Sequence, residues 1–288
     1  MFRYRQDNKH VSDQEAIKSL PHDRKEAFFD LLSHRKMTLF ALSCFTFMFF
    51  IPLAVNLFFF NYWESAAIVS KKYEYLFSLV FYSMCIMIPC MVIGFLGLAG
   101  AFYTAKRLVW QEDINLAVDF FTGIKENWKH ALFNGFVFSV LLFGMVIGGS
   151  YLLIFSPISP VVCGIGIGAL ILIFLTFGMA ISLNFTQDVY YENGLFVTFK
   201  NSFCFLGLLN WKILVLFILS TGSVITLACF NLITLGVGLF LFAVLNSVVI
   251  ILYTLLAHHA FDKYINQEHY PEMVNRGLYK IKKEDKEA

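Results

Sequence analysis

Six long runs almost free of charge constrain the fold of this chain more than any other feature. They lie near residues 38-60, 76-104, 131-155, 161-186, 212-231 and 234-257, and Lys212, the first residue of the fifth run, is the one Asp, Glu, Lys or Arg among them. About 20 apolar helical residues cross the ~30 Å of hydrocarbon in a bilayer, where backbone polar groups must be bonded within the protein. The runs predict an all-α, polytopic transmembrane bundle of six spans.

Composition excludes two other classes of protein. Of the 288 residues, 58% are hydrophobic and 15% are charged, against about a quarter charged in soluble domains. A soluble domain with a single anchor does not fit this balance. The net charge of +2 and the lack of a basic patch interleaved with aromatic residues give no reason to expect a nucleic acid as partner.

The distribution of basic residues predicts the topology. All but two of the 22 Lys and Arg residues lie before residue 37, within 105-130, within 187-212 or after residue 260; the exceptions are Lys71 and Lys72. Basic residues are retained on the cytoplasmic side of a membrane. We therefore expect a multi-pass protein of the cell membrane with both termini in the cytoplasm.

This topology divides the chain into three parts. Residues 1-37 form a cytoplasmic segment, 38-260 form the membrane domain, and 261-288 form a tail. The tail after His258 is rich in Lys and Glu, so we expect it to be solvated or to act as a docking peptide.

Amphipathic helices are predicted at the cytoplasmic boundary. Between the second and third runs, Asp113 is placed to cap a helix. One stripe of that helix is apolar and the other face, with Asp119, is charged. The apolar stripe comprises Ala117, Phe120, Phe121, Ile124 and Trp128. A second such helix is expected from Pro21 to Ser33, and the spacing of Phe121, Lys125 and Trp128 recurs weakly in Phe196, Lys200 and Phe203.

Signatures of catalysis or metal binding are not found in the sequence. It has no HExxH, GxSxG, GK[ST] phosphate loop or CxxC motif. Of His258, His259 and Asp262, one His and the Asp can share a helical face; two ligands are too few for a zinc site, and interfacial packing is the favoured interpretation. We expect a protein that is not an enzyme and that has no cofactor or metal.

Small and polar residues within the runs indicate helix packing. Glycines at helix-packing spacing allow close backbone approach; they are Gly94, Gly97, Gly100, Gly144, Gly148, Gly164 and Gly168. Buried asparagines bridge helices or contact a neutral solute, and helix bridging is the more common role. Asn184 and Asn246 are the candidates for solute contact, with Pro52 and Pro89 as possible kinks.

Two segments resemble a known family. Residues 100-113, GAFYTAKRLVWQED, and 119-129, DFFTGIKENWK, resemble a conserved region of the YesL family of bacterial membrane proteins, and Phe199, Lys200 and Phe203 resemble its second cytoplasmic segment. The resemblance covers roughly residues 38-260, and the longer ends of this chain depart from the family pattern. That family has no assigned function but is often encoded beside carbohydrate-uptake ABC transporters. The resemblance implies an accessory or regulatory role in sugar import.

These observations lead to a first functional hypothesis and two alternatives. The first is a non-enzymatic accessory protein that binds ABC-transporter subunits or a membrane sensor, in addition to the lipid bilayer. Its candidate partner-binding residues are Phe120, Phe121, Lys125, Asn127, Trp128, Phe196, Lys200 and Phe203. The alternatives are a permease or facilitator for a small neutral solute, with Asn184 and Asn246 in contact with it, and a purely structural membrane component.

Overall fold

The structure is a computed structural model that describes residues 20–70, 75–154, 159–222 and 231–279. Within these ranges the chain is all-α and contains no strand. Its main helices are α1 (Arg24–His34), α2 (Lys36–Val69), α3 (Leu76–Val109), α4 (Leu116–Ile154), α5 (Pro160–Tyr190), α6 (Leu195–Phe217) and α7 (Leu232–Phe261). The prediction of an all-α bundle is confirmed.

Five of these helices are long and apolar enough to cross a membrane. They are α2, α3, α4, α5 and α7 together with the turns that continue α7 to His269. A sixth span results if the two arms of α6, Leu195–Leu209 and Trp211–Ser220, are counted as one broken span, although they meet at 107°. The chain is thus a multi-pass membrane protein, and part of its predicted fifth run, 223-230, lies outside the described residues.

α3 lies at the centre of the bundle and packs against α2, α4, α5 and α7. Two of its glycines allow close approaches to neighbouring helices. A Cβ atom on Gly97 would lie 2.7 Å from Phe49 Cβ of α2, and one on Gly100 would lie 2.6 Å from the Phe120 carbonyl oxygen of α4. By contrast, a Cβ atom on Gly144, Gly164 or Gly168 would have no atom of the described residues within 4 Å, so their predicted packing role is wrong.

α4 differs from its prediction in one important respect. The expected interfacial helix near residues 113-129 is not a separate element, since α4 runs without interruption from Leu116 to Ile154. Asn115, rather than Asp113, accepts a hydrogen bond from the first turn, at 3.4 Å from the Val118 nitrogen. The sequence from Asn127 to Ala131 contains no Pro or Gly, so nothing breaks the helix where it meets the membrane boundary.

α1 forms as an amphipathic helix but begins later than expected. Asp23, rather than Pro21, precedes its first turn, and the Asp23 carboxylate accepts a hydrogen bond from the Glu26 nitrogen at 2.7 Å. Ala27 and Leu31 are buried on its inner face. Pro52 and Pro89 lie inside α2 and α3, which both continue through them.

Candidate functional site

The first four turns of α4 extend beyond the part that can lie in hydrocarbon. Residues 131–154 carry no charge and span about 36 Å at 1.5 Å per residue, which suffices for the ~30 Å hydrocarbon layer. Residues 116–130, hereafter the α4 extension, add about 22 Å. They contain Asp119, Lys125, Glu126 and Lys129, which favour water.

The inner face of the α4 extension packs against α2 and α3. Phe120 is fully buried, and its ring lies 5.5 Å from that of Phe45 and 5.8 Å from that of Phe49, both on α2. Phe120 is therefore a packing residue, and the prediction that it contacts a partner is wrong. Gly123 is buried as well, and a Cβ there would overlap Tyr103 of α3.

Asp119 also lies on this inner face, although its charge predicted the water-facing side. It forms an ion pair with Arg107 at the end of α3 and accepts a hydrogen bond from the Asn115 nitrogen at 2.8 Å. Arg107 additionally donates through Nε to Glu112 at 2.9 Å. Charged residues outside hydrocarbon thus fix the α3–α4 turn, and burial of Asp119 is compensated by its partners.

The outer face of the α4 extension carries most of the remaining predicted residues. Phe121 is 55% exposed, Trp128 is 46% exposed, and Lys125 lies between them on the same side. The Lys129 ammonium lies 5.7 Å from the Trp128 ring. The Asn127 side chain is half-buried and donates to the Gly123 carbonyl of its own helix at 3.0 Å. Phe121, Lys125 and Trp128 therefore form an available surface, hereafter the α4 outer face.

The first arm of α6 packs against α4 at Phe133, beyond the α4 extension. The Phe196 ring, 79% exposed, and the Phe199 ring both lie 6.2 Å from that of Phe133 on α4. Lys200 is exposed, whereas Phe203 packs at 5.2 Å from the ring of Phe177 on α5. The structure therefore places Phe196 and Lys200 at the surface and Phe203 inside the α5–α6 hairpin.

Asn184, a candidate for solute contact, is part of a buried network between helices. Its amide nitrogen donates to Asn134 Oδ1 of α4 at 3.0 Å, and its oxygen accepts from the Ser202 hydroxyl of α6 at 2.5 Å. Gln187 Nε2 in turn donates to Ser202 Oγ at 2.6 Å. Both polar atoms of Asn184 are thus used in bridging α4, α5 and α6.

The network reaches the end of the bundle through Asp188. This carboxylate is 2.6 Å from the ring nitrogen of His130 and 3.4 Å from Asn134 Nδ2. Asn246, the second candidate for solute contact, lies apart from it on α7. Its Nδ2 is buried without a hydrogen-bond partner in the part of the chain that the structure describes.

A second cluster, centred on Asp262, joins both ends of the chain. Its carboxylate accepts from Arg24 Nη2 of α1 at 2.5 Å, from Asn266 Nδ2 at 2.7 Å and from the Asn275 backbone nitrogen at 2.9 Å. The Tyr191 hydroxyl, in the α5–α6 turn, donates to Asn266 Oδ1 at 2.7 Å. Burial, together with the nearby charge of Asp262, raises the pKa of Tyr191, which keeps this hydroxyl a donor.

Residues 270–279 form a strap across the same end of the bundle. The Arg276 guanidinium stacks 4.0 Å from the centre of the Trp110 ring and donates to Glu112 at 2.8 Å. The Tyr279 nitrogen donates to the Pro21 carbonyl at 2.9 Å. Gly277 has φ +81°, and a Cβ there would overlap the Val109 carbonyl. The expectation of a solvated tail is wrong as far as residue 279, because these partners hold the segment down.

Sequence reasoning noticed that His258 and Asp262 share a helical face, and they lie 3.5 Å apart. It missed Arg24 and the strap, because no local pattern links Arg24 with Asp262, 238 positions away, or Arg276 with Glu112, 164 positions away. In the described ranges, no group of three or more His, Cys, Asp or Glu side chains is placed to hold a metal ion.

Comparisons with family models, with curated proteins and with solved structures found no match to this chain.

Proposed function

We propose that this protein is a non-enzymatic accessory component of the cell membrane that binds a partner membrane protein through the α4 outer face. The resemblance of residues 100–129 to the YesL family favours a subunit of a carbohydrate-uptake transporter, or a membrane sensor linked to one, as that partner. The distribution of basic residues supports a cytoplasmic location for this surface and for both termini.

The position of Phe121 is the observation that carries the proposal. It precedes Ala131 by ten residues, so it lies about 15 Å from the edge of the charge-free part of α4. The headgroup region on one side of a bilayer is only about 5 to 8 Å thick. With α4 along the membrane normal, a half-exposed phenylalanine at that height lies beyond the headgroups, and an aromatic side chain on a rigid surface is a frequent anchor of protein interfaces.

The hydrogen bonds of Asn184 favour this function over transport of a solute. A solute would have to replace the bonds that Asn184 makes with Asn134 and Ser202. A buried polar group that loses its partner carries a substantial cost.

Site-specific photo-cross-linking in native membranes tests the proposal. A photoreactive phenylalanine analogue is placed at Phe121 or, as a matched control, at Phe136, which is equally exposed (56%) on the charge-free part of the same helix. We expect the analogue at Phe121 to capture a transporter subunit or sensor and the one at Phe136 to label lipid. Mass spectrometry identifies each adduct.

Alanine variants provide the second readout. The double variant Phe121→Ala and Trp128→Ala should insert normally and lose co-purification of the captured partner, whereas Phe136→Ala should retain it. Unchanged association in the double variant would refute the α4 outer face as the contact surface. Recovery of the chain alone, without any protein adduct at Phe121, would favour the solute-flux alternative.

A further inference from the structure

The α4 outer face continues beyond Phe121 to Val118, which is 59% exposed. Val118, Phe121, Lys125 and Trp128 follow one another at intervals of three, four and three residues. At 3.6 residues per turn, these four positions fall within an arc of about 80° on the helix. Alternating intervals of three and four residues form the seam along which one helix packs on another. The exposed side of the α4 extension therefore has the pattern of a helix-packing seam.

This seam lies opposite the face of α4 that is already packed. Gly123 is about 180° around the helix from the middle of the seam, and it lies against Tyr103 of α3. Phe120 is buried as well. Because the bundle holds the inner face, the seam is fixed in position before any partner arrives, and this reduces the entropy lost on binding.

A helix is the element that fits this surface. Since the inner side of the extension is packed, a groove that encloses a helix would find only part of the circumference free. A second helix needs only one stripe, and it uses anchors repeated at three and four residues. Val118, Phe121 and Trp128 supply such apolar anchors along the extension.

Lys125 determines the charge that the facing helix should carry. It lies between Phe121 and Trp128 in the seam, and no salt bridge among the described residues includes it. Lys129, one turn further along, adds a second exposed ammonium group beside the seam. A lysine within a helix-packing seam fixes the register of the pair and favours a carboxylate on the facing helix.

A second copy of this chain does not meet that requirement. Copies of a membrane protein share one orientation in the bilayer, so two α4 helices related by a twofold axis along the membrane normal are parallel. A symmetric contact between their seams brings the two Lys125 side chains together, and like charges across an interface repel. The charge of Lys125 therefore favours a different protein.

The position of the seam places the partner helix at the membrane boundary. The seam extends over ten residues, or about 15 Å along α4. Trp128 stands three residues before Ala131, where the charge-free part of α4 begins. A helix that packs along the whole seam thus reaches the boundary itself, as the cytoplasmic end of a spanning helix does.

We propose that the α4 outer face, extended to Val118, binds a helix of a different membrane protein and that this helix carries Asp or Glu opposite Lys125. The inference rests on the function proposed above and adds the structure and the charge of the partner's contact surface. The apolar anchors provide the contact area, and the ion pair with Lys125 sets the register.

Photo-cross-linking at three seam positions tests the helix. A photoreactive phenylalanine analogue is placed singly at Val118, Phe121 or Trp128 of the full chain in native membranes, and mass spectrometry locates the captured residue of the partner. We expect the captured residues to lie in one protein, in order along its sequence, at spacings that keep to one helical face. Captured residues without helical spacing would overturn the helix and leave the proposed function intact. No protein adduct at any position would overturn both.

Charge reversal tests the carboxylate. Lys125→Arg should retain association, whereas Lys125→Glu should reduce co-purification of the partner about tenfold, because like charges then face each other. Replacing the facing Asp or Glu of the partner with Lys should restore binding to the Lys125→Glu variant. The control is Lys25→Glu, which makes the same change at an exposed lysine of α1. Equal losses in Lys125→Glu and Lys25→Glu would overturn the role of Lys125, and capture of a second copy of this chain would overturn the assignment to a different protein.

Discussion

The α3–α4 and α5–α6 hairpins both turn at the same end of the bundle, but different chemistry holds them. In the first, Arg107 binds Asp119 and Glu112 across the turn. In the second, Gln187 and Asn184 both bond to Ser202, so that neutral groups join the two helices. Arg107 stands two residues from the end of its helix, whereas Asn184 stands six residues from the end of α5. The ion pair thus lies near the end of the bundle, and the neutral amides lie deeper inside it. This difference is expected because burying a charge costs more than burying an amide.

The two hairpins also direct their second helix differently. α4 continues straight through the membrane boundary, and Gly100 and Gly123 allow its extension to pack closely on α3. α6 bends by 107° between Leu209 and Trp211. The first arrangement leaves the α4 outer face exposed beside the end of the bundle, and the second places the first arm of α6 at a large angle to its second arm.

Loss of the Arg107–Asp119 ion pair should have the largest effect on stability. Asp119→Ala leaves Arg107 without the buried half of its ion pair, so we expect destabilisation of roughly 3 kcal/mol. The measurement is thermal unfolding of the detergent-solubilised protein. Glu112→Gln serves for comparison: its carboxylate is more exposed than that of Asp119, and the amide keeps an acceptor for only one of its two partners, Arg107 and Arg276, so we expect a smaller but measurable loss. Equal melting temperatures of Asp119→Ala and the wild type would show that this ion pair contributes nothing to stability.

The close packing of α3 on α4 gives the second-largest effect. In Gly123→Ala the new methyl group overlaps Tyr103, and overpacking of this kind costs about 1 to 3 kcal/mol. In Gly144→Ala, on the same helix, the new methyl group meets no atom of the described residues within 4 Å, so the change should be neutral or slightly stabilising. The same unfolding assay compares the two variants. A loss of stability in Gly144→Ala as large as that in Gly123→Ala would contradict the packing difference.

Hydropathy predicted the spans because lipid requires helices of a fixed apolar length. It did not predict which side of the α4 extension faces the bundle. The apolar stripe was drawn through both Phe120 and Phe121, yet the first is buried and the second exposed. The buried face is centred on Gly123, whose small size allows close packing on α3, and on Asp119, which forms an ion pair with Arg107. A pattern of apolar residues reveals neither property.

The candidate surfaces were also predicted only in part from the sequence. Periodicity placed Phe121 and Trp128 on an apolar stripe and Lys125 on the opposite, charged face, whereas all three are exposed in the structure. The cluster around Asp262 was not predicted, because Arg24 and Asn275 approach it from opposite ends of the chain. The continuity of α4 was missed because a membrane boundary changes the solvent around a helix without breaking its hydrogen bonds.

The amide network should give the smallest effect of the three. Asn184→Leu keeps the approximate volume but removes two interhelical hydrogen bonds, which average roughly 0.6 kcal/mol each in membrane proteins. We expect a loss of about 1 kcal/mol, below that of Asp119→Ala, because the neutral partners Asn134 and Ser202 can bond within their own helices, whereas Arg107 cannot lose its charge. Asn246→Leu is the control, since the Asn246 amide nitrogen has no partner among the described residues. A larger loss in Asn246→Leu than in Asn184→Leu would show that the network does not bridge the second hairpin.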